Sequence, residues 1–138
     1  MNAHLALQAA LRTAFTASAE VLALVPAANI VDRHLRPAPS PSVIIGEADG
    51  GPDDGNVGRN RFVVFADVHV WKAEPSTEGA KNILAVLQRC LSLDPRPDLG
   101  SGLHLVDWHV WRFRMLRDPS GDTSHGVMTV RAVVGGWL

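Results

Sequence analysis

Between residues 62 and 71 the chain alternates without a break: Phe62, Val64, Ala66, Val68 and Val70 share one parity, and Val63, Phe65, Asp67, His69 and Trp71 share the other. A period of two is that of a β-strand, so the run builds a strand with one wholly apolar face. The second face is the constraining one, because it mixes an acid and an imidazole with Phe65 and Trp71. Burying one large side chain fully is worth roughly 1.5–3 kcal/mol, and several left in water are an aggregation hazard. A sheet built on this strand therefore needs cover on both sides. One side calls for helices, and the other for the chain's own loops or another subunit.

Helices are available on either side of the run. Leu7, Leu11, Ala14, Phe15, Ser18, Leu22 and Val25 recur at steps of three and four, which predicts an amphipathic helix over 2–25, stopped by Pro26. Ala80, Ile83, Leu84, Leu87, Cys90 and Leu91 do the same after the capping signal Pro75-Ser76-Thr77-Glu78. Between the first helix and the alternating run, Pro26, Pro37, Pro39 and Pro41 mark an extended crossing with one short strand near 29–32. Val43-Ile44-Ile45 reads as a strand and the glycine- and acid-rich stretch 46–60 as a long mobile loop. Residues 103–117 read as a long strand. Asp118-Pro119-Ser120-Gly121 matches a type I turn, so the strand 125–134 should return antiparallel. The expected fold is α+β, with two helices packed on one face of a mainly antiparallel sheet of about four main strands. The 138 residues, 46% of them hydrophobic, are read as a single domain over 1–138.

The strand 103–117 has no clean parity. Val106, Trp108 and Val110 share a side with Arg112 and Arg114, whereas Trp111, Phe113 and Met115 share the other with Asp107 and His109. Either a bulge near Val110 rejoins the apolar halves, or both faces are buried, one of them by a neighbour.

Thirteen basic against fourteen acidic residues give a formal charge of −1, far from a dedicated nucleic-acid binder. Cys90 stands alone, so no disulfide forms within the chain and no thiol framework holds a metal. Arg12 and Glu20 interrupt the first hydrophobic region, and neither secretion nor membrane spanning is expected. Two nearly identical strings, Asp67-Val68-His69-Val70-Trp71 and Asp107-Trp108-His109-Val110-Trp111, offer the one chemical constellation of note. If their strands were adjacent, Asp67, His69, Asp107 and His109 could converge as a metal or acid–base site, the alternative to a purely structural role. The stretch from Asp49 to Gly55 fails as a calcium loop and as a phosphate loop, and Cys90 lies on the apolar stripe of a helix.

The final hairpin is the most distinctive segment. Leu116-Arg117-Asp118-Pro119-Ser120-Gly121, followed by His125-Gly126-Val127 and Val130-Arg131-Ala132, resembles the C-terminal signature of the phage tail completion, or tail terminator, family found in prophages and gene transfer agents. The opening Leu5-Ala6-Leu7-Gln8-Ala9-Ala10-Leu11, the Ile30-Val31-Asp32 segment, Ser40-Pro41-Ser42-Val43-Ile44-Ile45-Gly46 and His69-Val70-Trp71 follow that family's pattern in order. Ser42 and Val31 depart from it, where an aromatic and a tyrosine are common.

The resemblance implies a structural protein, neither enzyme nor cofactor or metal binder, made in a bacterial cytoplasm and built into a virion. It would form a homo-oligomeric ring, a hexamer, at the head-proximal end of the tail. The ring would stop elongation of the tail tube protein and meet the head–tail connector protein, with DNA a partner only as it passes through the lumen and no membrane involved. Strand parity then assigns Phe65, His69, Trp71, His109, Trp111, Arg112, Arg114 and Arg131 to the interface. Asp49, Gly50, Gly51, Asp53, Asp54, Gly55 and Arg59 fall to a mobile assembly loop.

Overall fold

The computed structural model describes residues 2–33, 39–53, 60–93, 96–117, 119 and 121–136. Helix α1 (Ala3–Thr16) starts where the Asn2 side chain accepts the Leu5 amide at 2.8 Å. It ends earlier than its apolar stripe predicts. Ser18 adopts an extended conformation and caps a new turn, α2 (Ala19–Leu22), by accepting the Val21 amide. A 3-10 turn, Ala27–Asn29, then leads into the short strand β1 (Ile30–Val31). Strands β2 (Ser42–Pro52) and β3 (Arg61–Ala73), helix α3 (Glu78–Leu91), and strands β4 (His104–Arg117) and β5 (Thr123–Gly135) follow. The five strands form one sheet in the order β1-β2-β3-β5-β4, antiparallel except for the β1–β2 pair.

All three helices lie on one side of this sheet. Leu7, Leu11 and Phe15 of α1 and Ile83, Leu84 and Leu87 of α3 join Val43, Val64, Val68, Val70, Met128 and Val130 in a single buried cluster. The apolar parity of β3 is thus the helix-covered side, as the alternation requires. Trp108 closes the β4 end of the layer by donating from Nε1 to the Leu91 carbonyl at 2.9 Å. Cys90 is buried in the same layer, where its thiol donates to the Ala14 carbonyl. Burial pushes the thiol pKa up, and nearby Glu20 adds to this against a hydrogen bond from Ser18, so the group is inert packing.

The glycine-rich stretch after Ile45 corrects the expectation of a mobile loop. Asp49, Gly50 and Gly51 belong to β2, which pairs with β3 as far as Pro52↔Phe62, and the Asp53 amide donates to the Arg61 carbonyl. Its glycines serve close approach rather than mobility. The register shifts between Ile45 and Ala48, and a Cβ on Gly50, whose φ is +148°, would lie 2.0 Å from the Val63 carbonyl oxygen. Asp54, Gly55 and Arg59 lie outside the described residues.

The ambiguous strand resolves as a bulge. The ladder between β4 and β5 steps from Val110↔Val130 to Arg112↔Thr129, so Trp111 is the extra residue, and a second shift leaves Val106 unpaired. Trp108, Val110, Phe113 and Met115 consequently share the helix-facing parity.

Candidate assembly interface

The opposite side of the sheet carries no helix among the described residues. Its composition follows from the register. Across β2, β3, β5 and β4 in turn, one row reads Ser42, Trp71, His125, Leu116, and the next Ile44, His69, Val127, Arg114. Asp67, Thr129 and Arg112 come next, with Glu47 beside them at the β2 bulge; then Asp49, Phe65, Arg131, His109; then Gly51, Val63, Val133, Asp107. Ile44, Val127 and Thr129 are buried at the middle of this face, and Phe65, His69 and Trp71 are half-buried. Trp111 remains 54% exposed and Leu116 38%, a large apolar investment for a side that no described element covers.

Two aromatic contacts fix the surface. Phe65 meets Trp111 edge to face at 5.2 Å, and His125 lies flat on Trp71 at 3.7 Å between ring centroids. Beside the second pair, His69 Nδ1 is 2.9 Å from His125 Nε2, and His69 Nε2 is 3.1 Å from Glu47 Oε2. A carboxylate only accepts, so His69 donates to Glu47 through Nε2 and a single proton bridges the two rings. Thr129 donates to Asp67 at 2.6 Å in the next row. A shallow cleft of about 300 Å³ opens on this face, with Glu47, Asp49, Asp67, Phe65, Trp111 and Arg112 on its walls.

This geometry brings all eight residues that strand parity assigned to an interface onto one surface. Phe65, His69, Trp71, Arg131 and His109 arrive by simple alternation. Trp111, Arg112 and Arg114 could not all do so on a regular strand, and the bulge turns them the same way. Sequence reasoning missed His125, Val127 and Thr129. The signal was available, since all three share the parity of Arg131.

The metal or acid–base alternative loses its premise. Strand β5 lies between β3 and β4, so Asp67 and His69 do not adjoin Asp107 and His109. Asp107 instead accepts from Arg96 at 3.3 Å and contacts His109 at 3.0 Å, while Arg96 also donates to the carbonyl of the bulged Val106. Among the described residues no three His, Cys, Asp or Glu side chains are grouped to hold a metal ion. None of the described helices is long and apolar enough to cross a membrane.

Comparison with known proteins agrees with this architecture. The family model described as tail completion protein gp17 matches residues 9–135. Among solved structures, a chain from the virion of a native gene transfer agent particle superposes with a TM-score of 0.80 at 24% identity, covering 94% of this chain and 95% of that one. The gp17 protein of bacteriophage SPP1 superposes with a TM-score of 0.58 at 22% identity, over 92% of this chain and 87% of that one. At these identities the superpositions establish the fold. No curated protein matches the chain.

Proposed function

The chain belongs to the tail completion protein gp17 family, a family of structural components of phage-type tails, and from that membership we propose that it is a tail terminator. In this reading copies of the chain close into a ring, a hexamer, at the head-proximal end of the tail. The ring stops addition of tail tube protein and presents the surface to which the head–tail connector docks, and DNA passes through its lumen without being bound in a sequence-specific way. The work is assembly rather than catalysis.

The observation that carries the reading is the sheet face opposite the helices. It holds Phe65, Trp71 and Trp111 together, with Ile44 and Val127 beneath, and the described residues supply no element to cover it. Four strands about 4.8 Å apart and roughly 40 Å long present on the order of 800 Å², a face that neighbouring copies on its two sides can share. Cover by those copies completes the layer that one subunit leaves open. The eight residues from Phe65 to Arg131 named above are the proposed interface, and the Asp49–Pro52 end of β2 is the proposed assembly arm.

A deletion of the gene tests the function. Particles made without the protein should carry tails of irregular length that fail to join heads, and supplying it in trans should restore both. Tails of normal length joined to heads in the deletion strain would overturn the proposal.

A further inference from the structure

The uncovered face is divided by charge. Glu47 and Asp49 on β2 and Asp67 on β3 make one half acidic, whereas Arg131 on β5 and Arg112 and Arg114 on β4 make the other half basic. Among the described residues, Arg61, at the extreme start of β3, is the arginine on the acidic side, where Glu47 already accepts from His69 and Asp67 from Thr129, and Asp107 on the basic side is engaged by Arg96 and His109. Among the described residues, Asp49, Arg112, Arg114 and Arg131 make no ion pair within the chain. Arg112 has only the Trp111 ring, 5.4 Å from its guanidinium carbon. An isolated subunit thus holds the two signs on separate pairs of strands, with the Phe65–Trp111 contact spanning from one to the other.

We propose that this split sets the orientation of a second copy, so that the Arg112, Arg114 and Arg131 half of one subunit lies against the Glu47, Asp49 and Asp67 half of the next. The inference rests on the ring reading above and specifies its interface. Setting acidic half on acidic half, or basic on basic, puts like charge against like and is rejected. Setting the basic half of one copy on the acidic half of the next neutralises both and desolvates the aromatic side chains beside them. Each copy then offers one half to the neighbour on one side and the other half to the neighbour on the other, the head-to-tail connection from which rings close. A partner of a single charge would leave one half repelled, which is why a second copy fits and a uniformly acidic or basic surface does not.

A mixing experiment decides it. Tails purified from the deletion strain are supplied with protein, and tails joined to heads are counted by electron microscopy. Two variants are compared after circular dichroism and cooperative unfolding establish that each is folded: Glu47→Arg with Asp49→Arg, and Arg112→Glu with Arg114→Glu. Each alone should lower joining at least tenfold. An equal mixture should restore at least half of the wild-type level, since a sixfold ring closes with the two alternating. If a reversal does not fold, the neutral pairs Glu47→Gln with Asp49→Asn and Arg112→Gln with Arg114→Gln replace it, each expected to weaken joining more at low salt than at high, because screening at high salt already removes the attraction from the wild type. Single variants that join like wild type, a mixture no better than its components, or neutral pairs with unaltered salt dependence would overturn the inference and leave the ring standing. Wild-type protein that fails to restore joining would instead remove the ring reading itself.

Discussion

Glu74 shows how one side chain holds two elements in register. Its carboxylate accepts the Gly79 and Ala80 amides at 2.9 and 3.1 Å at the start of α3, and the Ser124 hydroxyl at 2.6 Å from β5. Burial raises its pKa, but the bonds from Ser124, Ala80 and Gly79, with the charge of Lys72, outweigh this and leave it below its ordinary value. The folded-state pKa being depressed, the carboxylate's contribution is fully present above the unfolded value of about 4.3 and is lost as pH falls through the lower folded value. Glu74→Gln should therefore cost about 1 kcal/mol at neutral pH, the scale of a lost helix cap. Its deficit against wild type should shrink below pH 4, measured by urea unfolding across pH; a deficit that grows on acidification would contradict the assignment. The start of this helix was legible from Pro75-Ser76-Thr77-Glu78, but its cap was not. Thr77 makes no capping bond, and the acceptor reaches the Gly79 amide from five residues upstream, outside the local signature.

At the scale of elements, periodicity revealed what burial enforces and missed what pairing enforces. The parity of β3 and the stripe of α3 were readable because each is dictated by its own apolar side. The extension of β2 through residues 46–52 was not, because its glycines and acids have no β preference and are held by the ladder to β3. The long helix stripe likewise concealed the turn at Ala17-Ser18, where a capping hydroxyl competes with helix continuation. In β4 the sequence carried the conflict between two parities and its remedy, a bulge, although not which residue would be extra. This has a direct consequence. Removing Trp111 deletes the extra residue and leaves every other side chain of β4 on its present face, whereas removing Phe113 sets Arg112 or Arg114 on the helix-facing side in either register that remains. The Trp111 deletion should unfold cooperatively, and the Phe113 deletion should be less stable than it by at least about 1 kcal/mol, the cost of a misplaced polar group. Equal stabilities in urea would mean that Trp111 is not the bulged residue.

For the whole molecule, the demand for cover on both sides of the sheet was present in ten alternating residues, and the family in a hairpin whose strands are now seen to be β4 and β5. What could not be read was the sheet order. Inserting β5 between β3 and β4 separates the twin Asp-x-His-x-Trp strings and removes the metal reading. The same insertion builds the charge division, by placing two acid-bearing strands on one side and two arginine-bearing strands on the other. Among the described residues, one layer of helices and one sheet give a subunit complete on a single side, and another copy of the chain is the proposed cover for the other. Electron cryomicroscopy of assembled particles at side-chain resolution tests that assignment most directly. The predicted result is a closed ring of this chain at the junction of tail and head, with Phe65, Trp71 and Trp111 of each subunit buried against the next. A ring in which those three side chains face solvent or the lumen, or particles with no copies of the chain at that junction, would contradict it.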